Sequence, residues 1–146
     1  MEENLSIIKE MHQQFGESKT DIRTYSPLTF AYIGDAVYEI VIRTLIVEKG
    51  QQAVHDLHKQ TTKLVCAASQ AAMAEALKED MTQQEQDIYR RGKNCKINSS
   101  AKNMSLEDYR KATGFEAVCG YLYLTGQTAR IVELVKCGID KLKLTV

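Results

Sequence analysis

Two carboxylates stand alone inside apolar stretches of this sequence. Asp35 lies within "FAYIGDAVYEIVIR", residues 30–43, and Glu116 lies within "TGFEAVCGYLYL". An ionised carboxylate that is removed from water costs several kcal/mol unless hydrogen bonds, an opposite charge or a metal ion offset that cost. We therefore expect each acid to have a specific partner in the folded protein.

The two acids could share one partner, a divalent cation. A cation between two carboxylates relieves their mutual repulsion, and oxygen ligands with few nitrogens or thiols suit magnesium or manganese rather than zinc. The alternative is that each acid reaches an arginine, such as Arg43 or Arg110, or a backbone amide. The spacing of the apolar residues does not decide between these interpretations.

A basic segment extends from Arg90 to Lys111 and holds seven Lys and Arg residues against two acidic ones. Its central part, "GKNCKINSSAKNM", shows no helical or strand period, which predicts a loop. Such a loop offers positive charge and neutral donors to phosphate oxygens and ribose hydroxyls. The alternative is a solvated surface loop, although long loops in compact domains are often functional.

The whole chain has no net charge and a pI near 6.8, so any nucleic-acid binding has to come from a local patch. Its 146 residues predict one domain over 1–146, in which residues 1–24 have an uncertain role. The start, "MEENLSIIKEMHQQF", lacks the basic and apolar regions of a signal peptide, and no long uncharged apolar stretch follows. We expect a cytoplasmic protein without a membrane association.

The elements that position these residues are expected to be helices, because nearly every segment has a helical period and almost none alternates strictly. The sequence therefore predicts an all-α protein, with helices over 3–15, 27–48, 53–78, 82–91, from 105 to just before 126, and 128–142. The helix over 27–48 is apolar nearly all round, which predicts a central, buried helix that carries Asp35 into the core.

Four motifs in order resemble one known family. They are "AYIGDAVYE", "KLVCAASQA", "RRGKNCK" and "YRKATGFEAVCGYLYL", and together, over about residues 25–126, they resemble the ribonuclease III catalytic domain. The similarity is closer to Mini-ribonuclease III, the short bacterial form that lacks a separate double-stranded-RNA-binding domain. Full-length members carry further acids where this chain has Leu28, Ala31 and Thr113, and the short form shares these absences.

The resemblance implies a ribonuclease III-like, all-helical endonuclease domain that forms a homodimer and binds double-stranded RNA across it. It implies magnesium, with manganese as a substitute, and products with 5′-phosphate and 3′-hydroxyl ends. Asp35 and Glu116 match two acids of the family and would be both catalytic residues and metal ligands. The implied substrate is precursor large-subunit (23S) ribosomal RNA, with a ribosomal protein as a candidate partner. The residues expected to position duplex phosphates are Arg90, Arg91, Lys93, Asn94, Lys96 and Lys102.

Two other interpretations stay open on the sequence. One is a catalytically silent ribonuclease III-like RNA-binding dimer, and the other is a helical interaction domain whose acids pair with arginines. Metal-dependent cleavage would separate the enzyme from both. For the dimer surface the candidates are the helix around Asp35 and the second half of "EAVCGYLYL", and the alternative is that both belong to the core.

Overall fold

The computed structural model describes residues 7–96 and 105–146 of the protein. Seven α-helices and one 3-10 turn occur there, and no β-strand lies in these two ranges, so the all-α prediction is confirmed. The helices are α1 (Ile7–Phe15), α2 (Pro27–Val47), α3 (Val54–Val65), α4 (Ala67–Leu77), α5 (Gln83–Lys93), α6 (Leu106–Leu124) and α7 (Thr128–Leu142). Predicted and observed bounds agree most closely for α2, α6 and α7.

Local side-chain caps explain where several of these helices begin. Ser26 caps α2 by accepting the amide proton three residues on, and Ser105 caps α6 in the same way. Thr82 and Glu85 form a reciprocal capping box at the start of α5, with N···O distances of 2.9 and 3.1 Å. Each cap satisfies an amide that the first helical turn leaves unpaired.

The prediction of one helix over 53–78 is wrong, because the chain breaks between α3 and α4 at Cys66. The backbone of Cys66 is extended, with φ −67° and ψ 161°. Side chains from α4 hold the break: Gln70 Nε2 donates to the carbonyl of Val65 at 2.8 Å, and Ser69 Oγ donates to the carbonyl of Lys63. Two carbonyls that a continuous helix would have paired are therefore satisfied from the side.

Helices α2 and α6 form the centre of the fold and touch backbone to backbone. A Cβ atom on Gly34 would lie 1.7 Å from the carbonyl oxygen of Glu116, and one on Gly120 would lie 1.9 Å from the carbonyl oxygen of Phe30. No side chain fits at either point, so both glycines are required for this approach. Because Asp35 follows Gly34 directly, the contact brings the turn that carries Asp35 against the turn that carries Glu116.

Helix α5 packs on another side of α6 through Gly92. A Cβ atom on Gly92 would lie 3.0 Å from both the Cα of Gly114 and the Cβ of Ala117. The sequence predicts an end of this helix near Arg91, but α5 continues through Gly92 to Lys93. Gly92 therefore lies inside α5, where it allows close packing against α6, and does not end the helix.

The outer face of α2 is exposed, so the prediction of a helix buried all round is wrong. Neighbouring helices cover one side, where Phe30, Tyr38, Ile42 and Ile46 are buried. The apolar residues left exposed on the other side are Leu28, Tyr32, Ile40, Leu45 and Val47, among which Tyr32 is 83% exposed. In the second half of "EAVCGYLYL", the other candidate for the dimer surface, Leu122 is buried, and the half-buried side chains that pack against the core are Tyr121, Tyr123 and Leu124.

Helix α1 begins at Ile7 in the structure, and residues 3–6 of the predicted helix lie outside the described ranges. It contributes no buried residue. In the part of the chain that the structure describes, no helix combines the length and the apolar character needed to cross a membrane.

Candidate active site

Asp35 and Glu116 line one open groove between α2 and α6, with a volume of about 660 Å³. Asp35 is exposed and Glu116 is half-buried. The expectation that Asp35 is removed from water is therefore wrong, because it lies on the uncovered side of α2. The two acids do come together, as expected, because both line this groove. Other side chains on its wall are Tyr32, Glu39, Ile40, Arg43, Tyr109 and Thr113.

The two carboxyl groups interact directly. Burial raises the pKa of Glu116 to about 8, and the negative charge of Asp35 together with a hydrogen bond to it contributes to that rise. A side-chain hydrogen bond with Gln70 lowers the pKa of Glu116 and so opposes part of that rise. Without a cation, burial and the neighbouring negative charge of Asp35 therefore favour the protonated form of Glu116 at neutral pH.

Arginines do not neutralise the pair. The Nη2 of Arg43 lies 2.6 Å from Oε2 of Glu39, one helical turn away from it on α2, and Arg110 is exposed. Across residues 7–96 and 105–146, neither Asp35 nor Glu116 forms an ion pair with a lysine or arginine. The interpretation in which each acid is paired with an arginine is not supported for this part of the chain.

The donor set of the groove fits magnesium or manganese. Within the described ranges no cluster of three or more His, Cys, Asp or Glu side chains is arranged to hold a metal ion. Magnesium is usually bound through only one or two carboxylates and keeps several waters that substrate phosphates replace. Two repelling carboxylates at an open groove, with no thiol or imidazole on its wall, match that mode of binding.

No sequence pattern indicated Gln70, whose side chain lowers the pKa of Glu116 in the folded protein. Its side chain is buried, 2% exposed, in the first half of α4, and it affects the Glu116 carboxyl group. The available signal was a lone polar residue within the alanine-rich stretch "AASQAAMAEAL". Helical period alone does not separate such a residue from an ordinary surface glutamine.

The basic residues at the end of α5 lie next to the turn of α6 that carries Glu116. Gly92 contacts Gly114 and Ala117 on α6, and the basic residues that flank it are Arg90, Arg91 and Lys93. Asn94 closes the helix through its amide, which donates to the carbonyl of Arg90 at 2.9 Å. Lys102 lies outside the described residues.

The basic side chains of this segment differ in whether a neighbouring acid forms an ion pair with them. Three of the side chains are in ion pairs: Arg90 with Asp87 at 3.2 Å, Lys93 with Glu107 at 3.5 Å and Lys111 with Glu75 at 3.1 Å. Arg91 and Lys96 are exposed, and neither forms an ion pair with any residue of the described part. Among the described residues that the sequence predicts to position duplex phosphates, these two basic side chains are therefore the most available for an anionic ligand.

The raised pKa of Glu116 makes the metal-free protein less stable as the pH rises. From its ordinary value of 4.5 up to about 8, the folded protein holds more protons at this site than the unfolded chain does. The free energy of unfolding then falls with increasing pH, by at most about 1.4 kcal/mol per pH unit from this group. This stabilisation is complete below the ordinary pKa and is lost as the pH passes through the folded value.

Urea unfolding in a chelating buffer at several pH values between about 5 and 8 would measure this effect. We expect the free energy of unfolding of wild-type protein to fall more steeply over that range than that of Glu116→Gln. Parallel pH profiles for the two proteins would contradict the assignment.

A family model described as "Ribonuclease III domain" matches residues 28–127. The chain is 45% identical over 124 residues to a protein named Mini-ribonuclease 3 from Clostridium tetani, a match that covers 84% of this chain and 82% of that protein. It is 44% identical to the Mini-ribonuclease 3 of Symbiobacterium thermophilum, over 80% of this chain and 90% of that one. A crystal structure of a protein from Fusobacterium nucleatum is similar with a TM-score of 0.76 and 28% identity, covering 84% of this chain and 99% of the other.

Proposed function

The chain belongs to the ribonuclease III family and, within it, to the Mini-ribonuclease III subfamily, and on that premise we propose that it is a magnesium-dependent endoribonuclease that cuts double-stranded RNA. The observation that carries this proposal is the pairing of Asp35 with Glu116 in an open groove, where no arginine neutralises them. Such a pair is unfavourable in the free protein and becomes favourable when a divalent cation binds.

In the proposed mechanism Asp35 and Glu116 would hold the magnesium. When bound, magnesium lowers the pKa of a water molecule and stabilises the negative charge that develops on the phosphate during in-line displacement. Asp35 is exposed in the groove and would be open to both the cation and the substrate from solvent. Glu116 would be deprotonated when it holds the cation, and its half-buried position would strengthen the attraction between them. The proposed products carry 5′-phosphate and 3′-hydroxyl ends.

The RNA duplex is proposed to lie across the basic end of α5. Arg91 and Lys96 would contact phosphates directly, while Arg90, Lys93 and Asn94 lie beside them; Lys102 is proposed from the sequence alone. Duplex RNA is recognised mainly by shape, by its backbone and by 2′-hydroxyls, so this surface is expected to show little base preference. The approach of Gly92 to Gly114 and Ala117, which lie near Glu116 on α6, supports this placement.

Lys96→Ala is expected to weaken binding to every RNA duplex by a similar factor. It should also reduce the slope of log binding constant against log salt concentration by about one. The physical reason is that one phosphate contact releases close to one counterion. Filter binding in a chelating buffer at several salt concentrations would measure it. Lys136→Ala on α7, which removes an exposed lysine paired with Asp140, is the matched control. Equal salt slopes for Lys96→Ala and wild type would remove Lys96 from the proposed surface.

We also propose a homodimer whose interface is built on the outer face of α2. Leu28, Tyr32 and Ile40 are exposed there and line the same groove as Asp35. Contiguous exposed apolar residues mark interaction surfaces, and a twofold pairing would present two acid pairs to the two strands of a duplex. We expect Tyr32→Asp to lower the sedimentation coefficient from that of a dimer to that of a monomer. A monomeric wild type at micromolar concentration would contradict this interface.

The proposed substrate is precursor 23S ribosomal RNA, with a ribosomal protein as a candidate partner and the cytoplasm as the compartment. The support is the resemblance of the four motifs to the subfamily. The residues of the groove themselves carry no information about one particular RNA, because they contact a backbone that all duplexes share.

The decisive experiment is to incubate purified protein with a long labelled RNA duplex, with magnesium and with a chelator. Cleavage that requires magnesium supports the enzyme. The second candidate function is a silent RNA-binding dimer, which the small number of acids in the groove favours, since Thr113, Ala31 and Leu28 line it where full-length members carry acids. Salt-sensitive duplex binding without cleavage would favour that candidate, and neither binding nor cleavage would favour a helical interaction domain.

A further inference from the structure

Arg43 is the basic residue of the groove that contains the two acids. Among the described residues, those that line this groove include three acids and a single base. The acids are Asp35, Glu39 and Glu116, and the base is Arg43. An RNA strand that enters the groove brings its negative charge towards three carboxylates, so a base on the same wall offsets part of the repulsion.

Glu39 holds the guanidinium group of Arg43 from one edge. Nε of Arg43 donates to Oε2 of Glu39 at 2.7 Å, and Nη2 lies 2.6 Å from the same oxygen. Within the described part of the chain, Nη1 forms no hydrogen bond or ion pair. The Arg43 side chain is also 48% exposed. The guanidinium is therefore oriented by one carboxylate and keeps donors for a second anion.

The spacing along α2 places Arg43 at a defined distance from the proposed cation site. Asp35, Glu39 and Arg43 follow each other at intervals of four residues, so they lie on one face of the helix. Eight residues of helix separate the Cα atoms of Asp35 and Arg43 by about 12 Å along the axis. The Arg43 guanidinium, bound to Glu39, lies about one helical turn from Asp35.

We propose that Arg43 is a substrate-binding residue, which uses the free edge of its guanidinium to bind a phosphate that flanks the scissile phosphate on the same RNA strand. This inference rests on the proposed function, because it requires the scissile phosphate at Asp35 and Glu116. Arginine suits the role, since its planar donors match phosphate oxygens and it is more weakly hydrated than lysine. Glu39 orients the donors before the RNA binds.

The test uses a short RNA duplex that is cut at one position, and a set of duplexes in which one flanking phosphate at a time is replaced by an uncharged methylphosphonate. Arg43→Met keeps most of the side-chain length and removes the guanidinium. We expect kcat/KM for the unmodified duplex to fall about tenfold. Wild type should show a similar loss with one of the modified duplexes. With that duplex Arg43→Met should show no further loss, because the contact is already missing.

Arg23→Met is the matched control. Arg23 also binds a neighbouring acid through Nε and Nη2, with distances of 3.1 and 2.8 Å to Oδ2 of Asp21, but it does not line the groove. We expect its kcat/KM to equal that of wild type with every duplex. A merely structural role of Arg43 would lower kcat/KM without making the variant insensitive to one particular phosphate.

Equal kcat/KM of Arg43→Met and wild type, or a further loss of the variant with every modified duplex to which wild type is sensitive, would overturn the inference and leave the proposed function intact. A change from dimer to monomer in sedimentation, without insensitivity to one phosphate, would assign Arg43 to a contact between copies and also overturn it.

If Arg43→Met does not fold, Arg43→Gln is measured in the same way. Failure of both variants to fold, while Arg23→Met folds, would assign Arg43 a structural role and overturn the inference. No magnesium-dependent cleavage by wild type would instead remove the proposed function, and this inference with it.

Discussion

Replacing Asp35 by Asn or Glu116 by Gln is expected to reduce magnesium-dependent cleavage of duplex RNA by at least about 10³-fold, which corresponds to about 4 kcal/mol of the activation barrier. Each substitution keeps the shape of the side chain and removes the charge that would hold the cation. A gel assay with saturating magnesium and a labelled duplex would measure the rate. Substantial magnesium-dependent cleavage by either folded variant would contradict the assignment of that acid.

The stability of these variants separates a functional role from a structural one. Neither acid forms an ion pair with a basic residue of the described part, and the two carboxyl groups repel each other when both are ionised. We therefore expect Glu116→Gln to be at least as stable as wild type at neutral pH in a chelating buffer. Asp140→Asn on α7, which removes an exposed, paired acid far along the chain, is a matched control that should keep full activity.

Gly34→Ala is expected to destabilise the protein by about 3 kcal/mol or more, at or beyond the upper end of ordinary overpacking. The added Cβ would lie 1.7 Å from the backbone carbonyl oxygen of Glu116, and a backbone atom cannot move aside as a flexible side chain can. Helices α2 and α6 would have to separate. Denaturation by urea would measure the loss of stability.

The matched control is Gly126→Ala, in the loop after α6. Gly126 has a φ of 76° and no atom within 4 Å of an added Cβ, so its substitution tests backbone strain without a clash. We expect that variant to lose about 1 kcal/mol. A Gly34→Ala protein as stable as wild type would show that the two helices can separate at little cost, which would contradict the close contact.

The same substitution should also lower activity in the fraction that remains folded. A misplacement of reacting groups by about 1 Å can cost about 10²-fold in rate. Because Gly34 precedes Asp35 and contacts the backbone of Glu116, any separation of the helices moves one acid relative to the other. Single-turnover cleavage, corrected for the folded fraction, would reveal this loss, and an unchanged rate would show that the site tolerates the shift.

Much of the fold was predictable because helix signals are local. Ser26, Thr82 and Ser105 begin their helices through bonds to residues only three positions away, so a short stretch of sequence contains the information. The break at Cys66 was not predictable in this way. Apolar residues continue with a helical period on both sides of it, and the side chains that stabilise the break, Ser69 and Gln70, also suit an uninterrupted helix.

The candidate site was predictable in its chemistry but not in its environment. Asp35 and Glu116 stood out as lone acids in apolar stretches, and the structure places both in one groove; their roles as metal ligands stay predictions. The burial of Asp35 was predicted wrongly. An apolar helix such as α2 shows which residues avoid water, but its sequence does not show which side the other helices cover.

By itself, the sequence determined the helical class, the start of most helices, the family and the two acids of the candidate site. These follow from interactions between near neighbours and from residue types that any arrangement would keep. Only the tertiary structure decided the approach of α2 to α6 at Gly34 and the exposure of Asp35 and Tyr32. The approach brings together residues that are far apart in the chain, and the exposure depends on which side of α2 the other helices cover. Both are therefore set by the packing of whole helices rather than by local preference.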